Sequence, residues 1–359
     1  MRIVFTSYVS SPEFEEPVVW LNRINGYTGI LEGLSKNHEV IGIEKINYKG
    51  DYFQDGVQYC FLKQRKKVLL FPFRLHQFIK KLQPDIVFIN GFIFPLQMIQ
   101  LRLTLGKKTR IFILHRAEKP YKGIKCWLQK LADKCVRGYL FTSFESAAEW
   151  IKCGIIQEQN KVHEIIQGSS RFRVTRPQLP IVDKLGFLWV GRLDANKDPV
   201  TVIKAFIKFL QVQPSARLNL VYQDAPLLEE LFSLIKTSEA AKKAIKFIGP
   251  IEHQQLEEWY NKSDFIISGS HYEGSGIAVC EAMSCGCIPI VTDIPSFRKM
   301  TGGKCGFLYK PGDDAALLKL LCSTKDMDIG AERKKVLEQF RNELSFEAIT
   351  KKIEKIISN

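Results

Sequence analysis

Short runs of consecutive apolar residues alternate along this chain with longer stretches in which apolar positions recur at helical spacing. The apolar runs fall at 2–6 (RIVFT), 39–43 (EVIGI), 85–90 (DIVFIN), 110–114 (RIFIL), 138–142, 187–190, 217–222 (RLNLVY), 245–248 (IKFI), 265–268 and 287–291. They are apolar on successive positions, not on alternate ones, which marks strands covered on both faces, as in a parallel sheet with helices above and below. Strand and helix alternating over the whole length is the α/β pattern. No segment repeats in sequence.

The densest stretch is 264–293, DFIISGSHYEGSGIAVCEAMSCGCIPIVTD. It reads as a strand at 265–268, a glycine-bearing loop, a helix over 276–285 and a second strand at 287–291, one βαβ unit. Ser275 is the expected N-cap and Gly286 the left-handed stop. Ile277, Ala278, Cys280, Ala282 and Met283 make the helix apolar nearly all round, so most of it is expected to be buried. Two carboxylates break that rule, Glu273 just before the helix and Glu281 two turns on, with seven residues between them. Buried carboxylates need partners, and Gly269, Gly274 and Gly276 leave backbone N–H groups open beside them.

Elsewhere the order of elements sets where chemistry can sit. After the first strand, Asn25, Gly26, Tyr27, Thr28 and Gly29 read as a glycine turn entering a helix, where a Rossmann-like half-domain meets its ligand. The spacing is not GxGxxG, which argues against a dinucleotide fingerprint. Residues 65–82 (RKKVLLFPFRLHQFIKKL) read in two ways: an amphipathic helix broken near Pro72 with a cationic side for anionic lipid, or an ordinary helix packing its apolar side on the sheet. The strand at 110–114 delivers His115 and Arg116 to its carboxyl end. A stretch at 173–183 with Pro177 and Pro180 reads as a linker. The strand after it ends in Gly191, with Arg192 and Lys197 five residues apart at the entry of the next helix, where two cations can neutralise a diphosphate. A further amphipathic helix at 345–358 follows the second set of strands.

Composition narrows the class. A chain of 359 residues suggests two domains, and 45% hydrophobic with 25% charged residues is the make-up of a soluble globular protein. No apolar run reaches the length of a membrane span, and MRIVFTSYV has no signal-peptide layout, so a cytoplasmic location is expected. The nine cysteines fit free thiols in a reducing compartment. Cys280, Cys285 and Cys287 lack paired spacing and histidines, which reads as packing and not metal. Asp326 and Asp328 read as a solvated turn. Charge is uneven: residues 1–180 carry 28 Lys+Arg and 15 Asp+Glu, a net of 28 − 15 = +13, and the rest 24 − 23 = +1. Nucleic acid is not supported, because no recognition module or basic and aromatic interleaving is present.

Carboxylates beside an anion-binding helix start, together with Arg192 and Lys197, suit a ligand that carries both phosphate and hydroxyls, as a nucleotide sugar does. The arrangement of Glu273 and Glu281 within SHYEGSGIAVCEAMSCGCIPIVTD, preceded by YNKSDFIISGS and followed by GKCGFLYKPGD at 303–313, resembles the donor-site motif of retaining glycosyltransferases with the GT-B fold. Asp264, Ser270 and Pro289 take part in the match.

The resemblance implies two Rossmann-like domains facing a central cleft: an acceptor domain at 1–176, a nucleotide-sugar domain at 177–342 and a helix at 343–359 crossing back to the first. It implies a metal-independent hexosyltransferase without a cofactor that moves sugar from a UDP- or GDP-sugar to a glycan or lipid-linked acceptor, with retention, in bacterial surface-polysaccharide synthesis. An anionic inner-membrane surface is a further implied partner. Arg192 and Lys197 would bind the diphosphate, and the backbone at Gly249, Pro250 and Ile251 the base. Glu281 would bind the ribose, and Glu273 and His115 the sugar. Gly274, Ser275, Gly276 and Ile277 would cradle the donor. Gly26, Thr28, Gly29 and Arg116 would serve the acceptor or phosphate, although the family usually has adjacent glycines where Gly26 and Gly29 are separated. The alternatives are a nucleotide-sugar epimerase of the same fold and a nonenzymatic basic binding module.

Overall fold

A computed structural model describes residues 1–64, 70–175 and 185–359. The chain divides into two compact units, Met1–Gly168 with Ile349–Asn359, and Ser169–Ala348. The expected boundary after 176 and most of the expected linker fall on 176–184, outside the described residues.

The first unit is built on eight strands: β1 (Arg2–Ser7), β2 (Glu39–Glu44), β3 (Gly50–Gln54), β4 (Val57–Phe61), β5 (Ile86–Asn90), β6 (Arg110–Leu114), β7 (Gly138–Phe141) and β8 (Val162–Glu164). Their order is β3-β4-β2-β1-β5-β6-β7-β8 and only the β3/β4 pair is antiparallel. That hairpin and β8 were not among the expected strands. Its outer strand alternates half-buried and exposed residues, and such a short edge strand lacks the apolar run that marks the others.

One face of this sheet packs Val4, Ile41, Val87, Ile89, Ile111 and Ile113 against Leu75 and Ile79, Met98 and Leu101, Ala132, and Ala147 and Trp150. These come from four helices, Phe73–Lys81, Pro95–Leu105, Gly123–Asp133 and Phe144–Lys152. The apolar side of 65–82 therefore does pack on the sheet, with Leu75, His76 and Ile79 buried; its basic start at 65–69 lies outside the described residues. On the other face Phe5 stacks on Phe88 at 4.7 Å. The final helix, Phe346–Ser358, buries Ile349, Ile353 and Ile357, each worth about 1.5–3 kcal/mol by area. It comes so close to the helix Asn25–Ser35 that a Cβ on Gly33 would collide with the Thr350 side chain.

The second unit has six parallel strands: β9 (Gly186–Gly191), β10 (Arg217–Tyr222), β11 (Ile245–Gly249), β12 (Phe265–Ser268), β13 (Ile288–Thr292) and β14 (Phe307–Tyr309). Their order is β11-β10-β9-β12-β13-β14. The chain starts in the middle, winds out to β11, then returns to lay β12 on the far side of β9. Such a reversal opens a crevice at the carboxyl ends of the two central strands. In the first unit the equivalent reversal lies between β1 and β5.

Asp264, at the head of β12, is buried and fixes the centre of the second sheet. It accepts the Gly186 N–H at 3.0 Å and the Arg333 guanidinium at 3.1 Å. Pro289 is covered by Gly306, whose φ of +66° and closeness to the Pro289 carbonyl leave no room for a side chain. Two parts of the family-like pattern are thus framework. No helix among the described residues is long and apolar enough to cross a membrane.

Candidate functional site

The loops after β9 and β12 meet at the reversal point of the second unit. After Gly191 the chain turns on Asp194, whose carboxylate accepts the Lys197 N–H at 2.9 Å. Asp198 then adopts a left-handed conformation, φ +43°, and caps the helix Pro199–Phe209 by accepting the Thr201 N–H at 3.1 Å. From β12, Gly269 passes so close that a Cβ would lie 2.6 Å from the Asp198 carbonyl oxygen. Backbone bonds lock the contact: the His271 N–H donates to the Asn196 carbonyl at 2.8 Å, and Asn196 Nδ2 to the Tyr272 carbonyl at 3.1 Å.

This junction brings Lys197 to Glu273. Lys197 Nζ and Ser270 Oγ both donate to Glu273 Oε1, the hydroxyl at 2.7 Å. A carboxylate with one oxygen so occupied is held in place and still offers the other oxygen to a hydroxyl. Arg192, expected alongside Lys197, is exposed and pairs with Asp194 at 3.1 Å.

The helix begins one residue later than expected, Ile277–Ser284, and its N-cap is Gly276 instead of Ser275. Gly276 takes φ +55°, and a Cβ there would stand 2.6 Å from the Phe297 ring. Tight backbone packing, not a capping side chain, therefore sets the helix start, and no side chain at the N-cap accepts its first N–H groups. Gly286 is left-handed as expected, φ +79°.

Glu281 is 5% exposed. His253 Nε2 bonds its Oε1 at 2.7 Å and the Tyr260 hydroxyl donates to its Oε2 at 3.1 Å. Gly249 ends β11 with φ +84°, and the turn through Pro250 and Ile251 delivers His253 to Glu281. The two glutamates thus have separate partner sets. Neither His253 nor Tyr260 was expected from sequence, because their partner lies 28 and 21 residues away and no local spacing links them.

In the first unit the carboxyl ends of β2, β1, β5 and β6 carry a second polar group. Arg116 donates through Nε and Nη2 to Asn90 Oδ1 at 3.0 and 2.7 Å, and its guanidinium lies 5.0 Å from the centre of the Tyr27 ring. Its own N–H is taken by Glu118 at 2.7 Å. His115 stacks on Phe141 at 4.1 Å and bonds the Glu118 carbonyl at 3.1 Å. Burial pushes its pKa down to about 4, so the ring is neutral. Glu44, at the end of β2, accepts the Trp20 indole N–H at 2.9 Å, and burial lifts its carboxyl to about 7. Lys45 is driven down to about 8 by burial, with its ammonium bonded to the Ser7 carbonyl.

Gly26, Thr28 and Gly29 are already inside the helix Asn25–Ser35, without a left-handed glycine, so the expected turn at 25–29 is helix. A preceding helix, Pro17–Arg23, ends at Ile24, φ −107°, which is also the N-cap of this one. None of the nine cysteines is in a disulfide, and Asp328 caps the helix Ile329–Gln339. Among the described residues no group of three or more His, Cys, Asp or Glu is arranged to hold a metal.

Two such edges, one in each Rossmann-like unit and each at a winding reversal, define an α/β protein of the GT-B class. Residues 172–341, a little under half of the chain, match the family model described as "Glycosyl transferases group 1". The solved structure of Anabaena HepE in complex with UDP superposes with a TM-score of 0.72 over 100% of both chains at 17% identity. Sucrose-phosphate synthase from Thermosynechococcus elongatus gives 0.70 over 100% of this chain and 98% of that one at 16% identity, which shows the fold alone. Among curated relatives, a GDP-mannose:cellobiosyl-diphosphopolyprenol alpha-mannosyltransferase of Xanthomonas oryzae pv. oryzae is 28% identical over 113 residues, 32% of this chain and 30% of that one. A D-inositol 3-phosphate glycosyltransferase of Thermomonospora curvata is 26% identical over 145 residues, 37% of this chain and 34% of that one. The chain thus spans about a third of the length of these relatives.

Proposed function

We propose that the protein transfers a hexosyl group from a UDP- or GDP-sugar to a hydroxyl of a glycan or lipid-linked acceptor, with retention at the anomeric carbon and without a metal. The observation that carries this reading is the junction of Lys197, Ser270 and Glu273 at the reversal point of the second sheet, with Glu281 held on the helix that starts there.

The chemical difficulty in such a transfer is the negative charge that grows on the departing diphosphate. Lys197, Arg192 and the first N–H groups of the helix Ile277–Ser284 are fixed charges and dipoles suited to it, and they need no reorganisation as the bond breaks. Glu281 accepts ribose hydroxyls and Glu273 sugar hydroxyls, while Gly249, Pro250 and Ile251 provide backbone for the base. We assign no nucleophile: the acceptor hydroxyl hands its proton to the departing phosphate on the same face. His115, Arg116 and the helix of Gly26, Thr28 and Gly29 belong to the acceptor side in this reading, and surface-polysaccharide synthesis is the setting it favours.

The test is release of UDP or GDP from a panel of nucleotide hexoses, with and without soluble glycan and lipid-linked acceptor fractions, and proton NMR of the product. One donor should turn over in an acceptor-dependent way and give the same anomeric configuration as the donor. Conversion of one nucleotide sugar into another would assign an epimerase instead. No turnover of any donor would remove the reading.

A further inference from the structure

The Glu281 carboxylate is held by two side chains that hang from one segment of the second unit, residues 252–262, and that differ in how firmly they are fixed. The short turn His253–Gln255 is closed by a capping box: the Glu252 side chain accepts the Gln255 N–H, and the Gln255 side chain accepts the Glu252 N–H at 3.1 Å. Such reciprocal bonds fix the backbone of the turn and leave the His253 side chain outside them. The helix Leu256–Lys262 continues directly from the turn and carries Tyr260.

Tyr260 is wholly buried. Burial and the neighbouring Glu281 charge push its phenol well above the ordinary tyrosine range, so the hydroxyl keeps its proton and donates to Glu281 Oε2. Its ring packs 6.1 Å from that of Phe172, and its carbonyl accepts the Cys287 thiol at 2.9 Å. It cannot leave Glu281 without opening the core. His253 is the opposite case. Its side chain is 45% exposed, with the Phe172 ring 5.1 Å away and Glu281 Oε1 2.7 Å from Nε2. A half-exposed side chain on a fixed backbone changes rotamer readily.

The geometry of a ribose makes this difference matter. Its two adjacent hydroxyls pair with a carboxylate by donating one bond to each oxygen. Only 5% of Glu281 is exposed, too little for both oxygens to meet a diol while both present partners stay in place. One partner has to yield, and the imidazole is the one that can.

We infer that His253 is a specificity-determining residue of the donor site: a ribose reaches Glu281 by taking the place of the imidazole, exchanging the one bond from His253 for two from a 2′,3′-diol. The inference deepens the proposed function, on which it rests, by setting how the site tells a ribonucleotide from other phosphorylated ligands. A 2′-deoxynucleotide displaces the same bond and returns only one. Sites that bind a hydroxyl reject the analogue lacking it, because a buried polar group is then left short of a partner.

The experiment is calorimetric titration of the full chain with UDP, GDP, ADP and CDP, and with the 2′-deoxy form of whichever binds, beside NMR of the histidine rings. The 2′-deoxy form should bind about 10- to 100-fold more weakly, the range for a hydrogen bond to a charged group. His253→Ala removes the competitor for Glu281, so it should bind the ribonucleotide about three- to tenfold more tightly than the wild type does. The chain has six histidines, and the ring signals missing from His253→Ala are those of His253. In the wild type a saturating ribonucleoside diphosphate should move these signals, and pyrophosphate, which has no ribose, should leave them in place. Weaker binding by His253→Ala, equal binding of the 2′-deoxy form, or His253 signals that the ribonucleotide leaves unmoved would overturn the inference. The NMR titration uses the wild type and stands however well the variant folds. Where a diphosphate binds and Lys197→Ala weakens it, those outcomes remove this inference alone. Where no diphosphate binds either the wild type or His253→Ala, the proposed function falls and this inference falls with it.

Discussion

The two sheets place polar side chains at the same kind of edge and treat them in opposite ways. In the second unit charged side chains are paired or hydrogen-bonded to one another: Lys197 with Glu273, Arg192 with Asp194, Glu281 with Tyr260 and His253. In the first unit burial presses groups towards neutrality: His115 and His76 down to about 4, Glu44 up to about 7 and Lys45 down to about 8. An edge with paired fixed charges suits a ligand that is itself ionic, such as a diphosphate. Beside the Arg116 guanidinium, the edge of the first unit holds groups pressed towards neutrality, which suit hydroxyls, since these need donors and acceptors but no net charge.

The contrast can be broken most sharply at Lys197. Lys197→Ala should lower turnover by ~10²- to 10³-fold, as expected for loss of one preorganised donor to a developing anion. Its melting temperature should barely change, because the residue is partly exposed. A comparable loss in both quantities would mean that the pair with Glu273 is structural.

Acid should strike the first unit next. The folded-state pKa values of His76 and His115 lie below the unfolded value, so the unfolded chain binds more protons between pH ~6.5 and ~4. Stability from the neutral rings is therefore intact above ~6.5 and lost as the pH falls towards 4, by roughly 2–3 kcal/mol for each ring. Lys45 beside His76 and Arg116 beside His115 push in the same direction as burial. Urea titrations of wild type and His76→Gln across this window measure it, and an unchanged slope in the variant would remove His76 from the account.

Glu281→Ala should weaken nucleoside diphosphate binding by about 10- to 100-fold, the range for a hydrogen bond to a charged group. Glu281→Gln, which keeps one acceptor, should lose less, and calorimetric titration separates the two. The smallest effect is expected at Glu44, whose raised pKa means that ionisation opposes folding above the ordinary carboxylate range. Stability from this group falls as the pH rises through ~7, so Glu44→Gln should melt at the same or a slightly higher temperature at pH 8. A lower melting temperature would show that the Trp20 bond outweighs the desolvation.

Much of the second unit was legible in sequence because its parts are local. The strand at 265–268, the glycine stop at 286 and the two glutamates all fall within 264–293, where apolar runs and glycines set the element boundaries. What stayed hidden there was made by packing at a distance: Gly276 as N-cap, set by the Phe297 ring, and the Glu281 partners brought in from 253 and 260. The first unit was less legible for the same reason. Its strands were apolar runs, but Glu44, Asn90 and Arg116 lie on three different strand ends and converge only once the sheet order is known. The edge strand β3 carried no apolar run, and the glycines at 26 and 29 suggested a turn where the chain is already helical.

In the proposed function the reversal point of the second sheet holds a nucleoside diphosphate. Thermal unfolding in the presence of UDP, GDP, ADP and CDP, with no metal added, tests it directly in wild type, Lys197→Ala and Glu281→Ala. One diphosphate at one hundred times its dissociation constant should add about 2.7 kcal/mol of stability to the wild type, and both substitutions should abolish most of that gain. A wild type that no diphosphate stabilises at millimolar concentration, or a gain that both variants keep in full, would contradict the claim.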